Sequence, residues 1–451
     1  MKGALLQAML ILAWSVWIAG PSQAQEQQTK TTFVSLGRGV PAVLYEPLEP
    51  GPKSAIAVFV MHSEVDYLQF SACSELSRRG YRVLCANNST RKGGGIDSDL
   101  SIDSILLDAK LAMTWLRHYP GVRKIVLLGH SGGGTLMAAY QSIAENGLAA
   151  CQGPEKIIKC SESLANLPPA DGLMLIDSNY GLGAIMLFSL DPAVTGETTG
   201  QKLDPALDLF NPKNGFNSRG SHYSAEFIRR FQMAAGRRNN RLVRSALERL
   251  AKIEVGQGTF SDDEPLVVPG GNYLGFNNKL FTQDTYLLAH THKAWPLLHA
   301  DGTTTTQIIH TVRVPENVSS NVASLQKGAL RTTVKDFLRT LALRVGDDYG
   351  FDEDSIHGVD WSSSYALPAG SVRTVTVPLL TLGMTGHWEY LAAEIIYENA
   401  KSTDRSIAFV EGGTHVFTTC TACETTPGQF GDTLKTTYDY VDRWLSKPGR
   451  F

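Results

Sequence analysis

Apolar and polar positions fall into two blocks that share one rhythm. In the first, about residues 30–180, short aliphatic runs alternate with stretches of helical spacing. Residues 55–61 (AIAVFVM), 81–86 (YRVLCA), 124–128 (KIVLL) and 172–176 (GLMLI) read as buried strands. Between them, 68–79 and 102–118 carry helical periodicity, the second with Ile105, Leu106, Ala109, Ala112, Met113 and Leu116 on one face. The second block starts near Val372: a strand over 375–382, a helix over 389–400, a strand over 406–411 and an amphipathic helix over 433–445. Alternation of this kind predicts a mainly parallel sheet flanked by helices. The stretch 181–371 breaks the rhythm and is too long for a loop, so an inserted, largely helical cap or lid is expected there.

The N-terminus stands apart. Lys2 precedes an apolar run from Ala4 to Gly20 that ends in Pro21-Ser22-Gln23-Ala24, the form of a signal peptide cleaved after Ala24. The expected division is therefore a signal peptide over 1–24, core over 25–180, cap over 181–371 and core again over 372–451. Export predicts a secreted or periplasmic protein with no stable membrane insertion after cleavage, and the six cysteines are then read as disulfide candidates. Cys151 with Cys160 and Cys420 with Cys423 are the close pairs. Cys73 and Cys85 are left open between a bridge and two buried thiols.

Charge narrows the partners. With 41 basic and 44 acidic residues, the net charge is −3 and the signs are mixed, so no long-range field recruits nucleic acid or an anionic membrane. The arginine-rich stretch within 225–253 reads as a solvated helix face. A small, neutral molecule is the expected partner; oligomeric state is not legible.

Candidate chemistry centres on Gly129-His130-Ser131-Gly132-Gly133, a G-x-S-x-G match. Its mechanical requirement is a sharp strand-to-helix turn that leaves the serine hydroxyl exposed at the carboxyl edge of a sheet. The context meets it, since a buried strand ends at Leu128 and a small-residue helix begins at once. A nucleophilic serine also needs a base, and His415 follows Glu411-Gly412-Gly413-Thr414 just past the last strand.

In chain order and spacing, residues 30–180 and 372–447 resemble the α/β-hydrolase superfamily, which places its cap where 181–371 lies. The resemblance implies a serine hydrolase with Ser131 as nucleophile and His415 as base and then acid, needing no cofactor or metal. The acid that orients His415 has two candidates. Glu389, the first carboxylate after the strand 375–382, takes the commoner place in the family and is the first choice; Asp177, at the end of the preceding strand, is the alternative. For the oxyanion, the resemblance implies the backbone N–H of Gly132 and that of Ser63 or Glu64 in the loop His62-Ser63-Glu64, with Ser63 standing where the family commonly has glycine.

Other signals are weaker. His62, His130 and Trp388, with His387 beside it, are candidates to border the substrate. His290, His292 and His299 lack a carboxylate at ligand spacing and are read as packing or pocket lining. Gly93-Gly94-Gly95 reads as a turn. Asn88-Ser89-Thr90 and Asn317-Val318-Ser319 match glycosylation sequons. The leading expectation is hydrolysis of a carboxylic ester through an acyl-enzyme on Ser131. The same residues acting on an amide, lactone or carbon-carbon bond is one alternative, and a non-catalytic binding module on this fold is another.

Overall fold

In the computed structural model, residues 28–90, 92, 100–196, 203–271, 279–316 and 329–451 are described. The signal-peptide expectation, the Gly93–Gly95 turn and the Asn317 sequon lie outside these residues.

The predicted strands form one sheet because each is an unbroken apolar run that must be covered on both faces. Fourteen strands are defined among the described residues: β1 (Thr29–Ser35), β2 (Pro41–Pro47), β3 (Ile56–His62), β4 (Arg82–Asn87), β5 (Lys124–Ser131), β6 (Gly172–Ser178), β7 (Pro265–Val268), β8 (His290–Leu298), β9 (Thr304–His310), β10 (Leu330–Thr333), β11 (Arg344–Phe351), β12 (Ile356–Asp360), β13 (Leu379–Met384) and β14 (Arg405–Val410). Ten of them make the main sheet in the order β1-β2-β4-β3-β5-β6-β13-β14-β8-β9. From β4 through β8 neighbouring strands are parallel; β1, β2 and β9 are antiparallel to their neighbours. The reversal at β4-β3-β5, with β2 antiparallel, is the strand order of an α/β-hydrolase.

Helices cover both faces. Ile102–His118 and Gly132–Asn146 pack into the larger apolar layer, and the first buries every apolar position that its periodicity predicts. Ser71–Arg78 and Thr433–Leu445 close the opposite layer over Val58, Val60, Leu128 and Leu382. The last helix starts where Asp432 accepts a hydrogen bond from the Lys435 N–H, an N-cap that meets an otherwise unpaired donor.

The insertion departs from expectation. It holds the helices Leu182–Ser189 and Ala225–Glu254, but β7–β12 lie in it too. It thus mixes strands with helices, and β8–β9 widen the main sheet, β8 pairing with β14 through Phe409–Leu297 and Val410–Leu298. The cause is local: Asp301-Gly302 turns the hairpin, Gly302 sits at φ 83°, and threonines fill β9. In the long basic helix, Arg229, Arg230, Arg237, Arg241 and Arg244 are exposed, as a solvated face requires. Arg238 instead is buried and donates to the carbonyls of Asp191 and Pro269.

All six cysteines are paired: Cys73–Cys85, Cys151–Cys160 and Cys420–Cys423. Cys73 and Cys85 meet because the helix Ser71–Arg78 lies against β4, a juxtaposition that spacing does not reveal. Among the described residues, no helix is long and apolar enough to cross a membrane.

Candidate active site

β5 runs into the helix Gly132–Asn146 without a linker, and Ser131 at the junction is held at φ 54° and ψ −129°. That conformation is costly for a residue with a Cβ and persists only when its surroundings enforce it. The motif glycines provide the enforcement. A Cβ on Gly129 would stand 2.6 Å from the Gly133 carbonyl oxygen, and one on Gly133 would stand 2.6 Å from that of Met61. Only glycine lets strand, turn and helix come this close.

Ser131 and His415 line one cavity of about 900 Å³. Its walls are largely apolar, with Leu68, Phe70, Leu182, Ile185, Trp388 and Val416 among them. Among the described residues no hydrogen bond reaches Ser131 Oγ; in substrate-free sites such bonds are often long and tighten when substrate binds.

His415 hydrogen-bonds through Nδ1 to Asp177 Oδ2 at 2.7 Å, while Glu389 Oε2 stands 3.4 Å from the same nitrogen. The structure therefore seats Asp177, not Glu389, as the carboxylate that holds His415. Asp177, next to last in β6, sits at φ 42°, and its Oδ1 accepts the Met384 N–H while Oδ2 also accepts from His387 Nδ1 at 3.0 Å. Burial opposes its ionisation, but the hydrogen bonds from His387 and His415 hold its carboxyl well below the usual range.

Glu389 lies in the short turn Trp388–Leu391, buried, with Oε2 making no hydrogen bond. Burial first, and then the nearby Asp177 charge, push its carboxyl up to about 8, against the pull of His415. It is mainly a neutral acid at pH 7. For His415, burial opposes protonation, but the Glu389 carboxyl in its ionised form, and the hydrogen bond to Asp177 with its charge, raise the pKa above the usual value. Burial, and then repulsion from His415, lower His387 to about 4.

His130, the second residue of the motif, has both ring nitrogens engaged. Its Nε2 donates to the His415 carbonyl at 2.6 Å, its Nδ1 accepts the Tyr67 hydroxyl, and its ring packs between Phe70 and Phe417. It pins the loop that carries the histidine. Tyr67 completes this support, and nothing in the local sequence marks it.

The loop after β3 is fixed from two sides. Asn88 Nδ2 donates to the carbonyls of His62 and Ser63, so this sequon asparagine is buried and engaged. The N–H groups of Glu64 and Val65 both point at His62 Nδ1 at 2.9 Å. Glu64 N–H is thus turned inward and does not serve as the expected oxyanion donor. Ser63 is fully buried, its Oγ without a partner and packed against Gly132. His62, His130, His387 and Trp388 all line the cavity, as does Lys279, which no motif marks.

The remaining histidines do not assemble. His292 pairs with Asp354 and His299 with Glu411, on separate parts of the sheet edge. Among the described residues, the grouping with metal-like composition is Asp177, His387, Glu389 and His415. There both imidazole Nδ1 atoms are already hydrogen-bonded to Asp177.

No protein-family model matches the chain, and no curated protein matches it. Solved structures do. Brefeldin A esterase, a bacterial homologue of human hormone-sensitive lipase, is 11% identical over 96% of this chain and 80% of its own, with a TM-score of 0.40. Siderophore hydrolase EstB from Aspergillus fumigatus is 11% identical over 96% of this chain and 100% of its own, at 0.42. Carboxyl esterase 2 from Tuber melanosporum is 13% identical over 95% and 92%, at 0.38. The strand order and the Ser131 turn at the end of β5 define the chain, on their own evidence, as an α/β-hydrolase fold.

Proposed function

We propose that the protein is a serine hydrolase that cleaves a carboxylic ester. Ser131 Oγ attacks the carbonyl as His415 takes its proton; the ester C–O bond breaks, and His415 returns the proton to the departing alcohol. Water then attacks the acyl-enzyme with the same base, releasing the carboxylic acid and free Ser131. Asp177 holds the His415 ring and stabilises the imidazolium, and the Gly132 N–H receives the oxyanion. The observation that carries this reading is the 2.7 Å bond from buried Asp177 to His415, which lines one cavity with the strained Ser131. The apolar walls favour an uncharged, partly buried substrate. The three disulfides support an oxidising compartment, in keeping with a secreted or periplasmic protein.

A fluorophosphonate probe tests the proposal. The wild type is expected to label at one serine and Ser131→Ala to remain unlabelled; equal labelling of the two overturns it.

A further inference from the structure

His62 is surrounded by more donors than a histidine can satisfy. Three backbone N–H groups point at its ring: Glu64 and Val65 at Nδ1, each at 2.9 Å, and Gly132 at Nε2, at 3.2 Å. A neutral imidazole has one lone pair and one N–H. The ring is buried, and burial, with repulsion from His415 and Lys92, lowers its pKa to about 3, so it stays neutral in use.

The two donors at Nδ1 place the lone pair there, which puts the proton on Nε2. Placed the other way, Nδ1–H would oppose two N–H groups, whereas on Nε2 the proton opposes one. His62 Nε2–H and Gly132 N–H are then two donors 3.2 Å apart that cannot bond each other. Both residues line the cavity, and Gly132 follows Ser131 directly. One acceptor held between them satisfies both, and a negative one does so best.

We infer that His62 is itself a catalytic residue, its Nε2–H being the second oxyanion donor beside the Gly132 N–H. This rests on the serine-hydrolase reading above and takes the place of the backbone donor expected from Ser63 or Glu64. The imidazole is stacked on Tyr67 and clamped at Nδ1, so the donor is oriented before substrate arrives. Ser63 Oγ, buried and unpartnered against Gly132, is the competing donor.

Asparagine and glutamine separate the two ends of the ring. His62→Asn keeps an acceptor near Nδ1 for the loop and removes the distal donor; His62→Gln reaches the Nε2 position with an N–H and leaves the loop less well held. On a p-nitrophenyl ester, His62→Asn is expected to lower kcat by roughly 10²–10³-fold with KM changed less than about 3-fold. It should weaken a trifluoromethyl ketone inhibitor in parallel with kcat, and His62→Gln should recover about 10-fold or more. A purely structural clamp predicts the reverse ranking, and that result overturns the inference. So does a Ser63→Ala variant that costs more than His62→Asn. Should the variants not fold, the nitrogen-15-labelled wild type reads the same point. His62 should be protonated at Nε2, with that proton moving downfield on adding the ketone; protonation at Nδ1 overturns the inference. A wild type that takes no fluorophosphonate label at Ser131 overturns the parent reading instead.

Discussion

Replacing Asp177 by asparagine tests which carboxylate supports catalysis. When His415 takes the Ser131 proton, its positive charge forms 2.7 Å from Asp177 Oδ2. At an effective dielectric of about 20, two unit charges at that distance attract by about 6 kcal/mol. At 1.36 kcal/mol per decade that is about 10⁴ in kcat. Asparagine also sets its amide N–H₂ against donors, either the two imidazole N–H groups that share Oδ2 or the Met384 N–H at Oδ1. Glu389 is only slightly farther from His415, at 3.4 Å, but with its carboxyl pushed up to about 8 it holds little charge at pH 7. Glu389→Gln is therefore expected to change kcat by less than about 10-fold at pH 7, a difference of about 3 decades from Asp177→Asn. Steady-state kinetics of both variants at pH 7, normalised by active-serine titration, measure the difference. An Asp177→Asn enzyme within 10-fold of wild type, beside a Glu389→Gln enzyme that loses more, refutes the reasoning and returns the acid to Glu389.

Two further outcomes follow from the same site. Glu389 rises from an ordinary 4.5 to about 8 on folding. Below pH 4.5 it is protonated folded or unfolded; above that the unfolded chain gives up the proton first, so stability falls as pH rises toward 8, by at most about 5 kcal/mol. Glu389→Gln removes this slope, and urea midpoints at pH 5 and pH 8 should show the variant gaining on the wild type at the higher pH; parallel profiles contradict it. Cys420–Cys423, half-buried on the segment that follows His415, closes so short a loop that it contributes little chain-entropy stabilisation. Mild reduction should lower activity more than melting temperature, and unchanged activity with both thiols confirmed free refutes that coupling.

Much of the framework was legible along the chain because it depends on local pattern. Buried parallel strands are continuous apolar runs, helices repeat at 3.6 residues, and a nucleophile turn needs glycine within two residues on either side. Hence the core strands, the two helices that match to the residue at Ile102–His118 and Thr433–Leu445, and the Ser131 turn were all readable. The β8–β9 hairpin was readable too, from Asp301-Gly302 and the threonine run, but the expectation of a cap obscured it.

The identity of the acid was not legible. Asp177 and the turn bearing Glu389 follow neighbouring strands, β6 and β13, and sequence places a carboxylate at each. Which one meets His415 depends on the φ of 42° at Asp177 and on the direction the β14 loop takes under His130 and Phe417. The same holds for His62, whose proposed role follows from three N–H groups, two from its own loop and one from the start of the helix Gly132–Asn146. Sequence by itself determined which residues stand at the ends of the strands, since strand ends follow from hydrophobic runs. Only the tertiary structure decided which of them share a proton, because hydrogen bonds act over about 3 Å and that separation is set by packing between segments far apart in the chain.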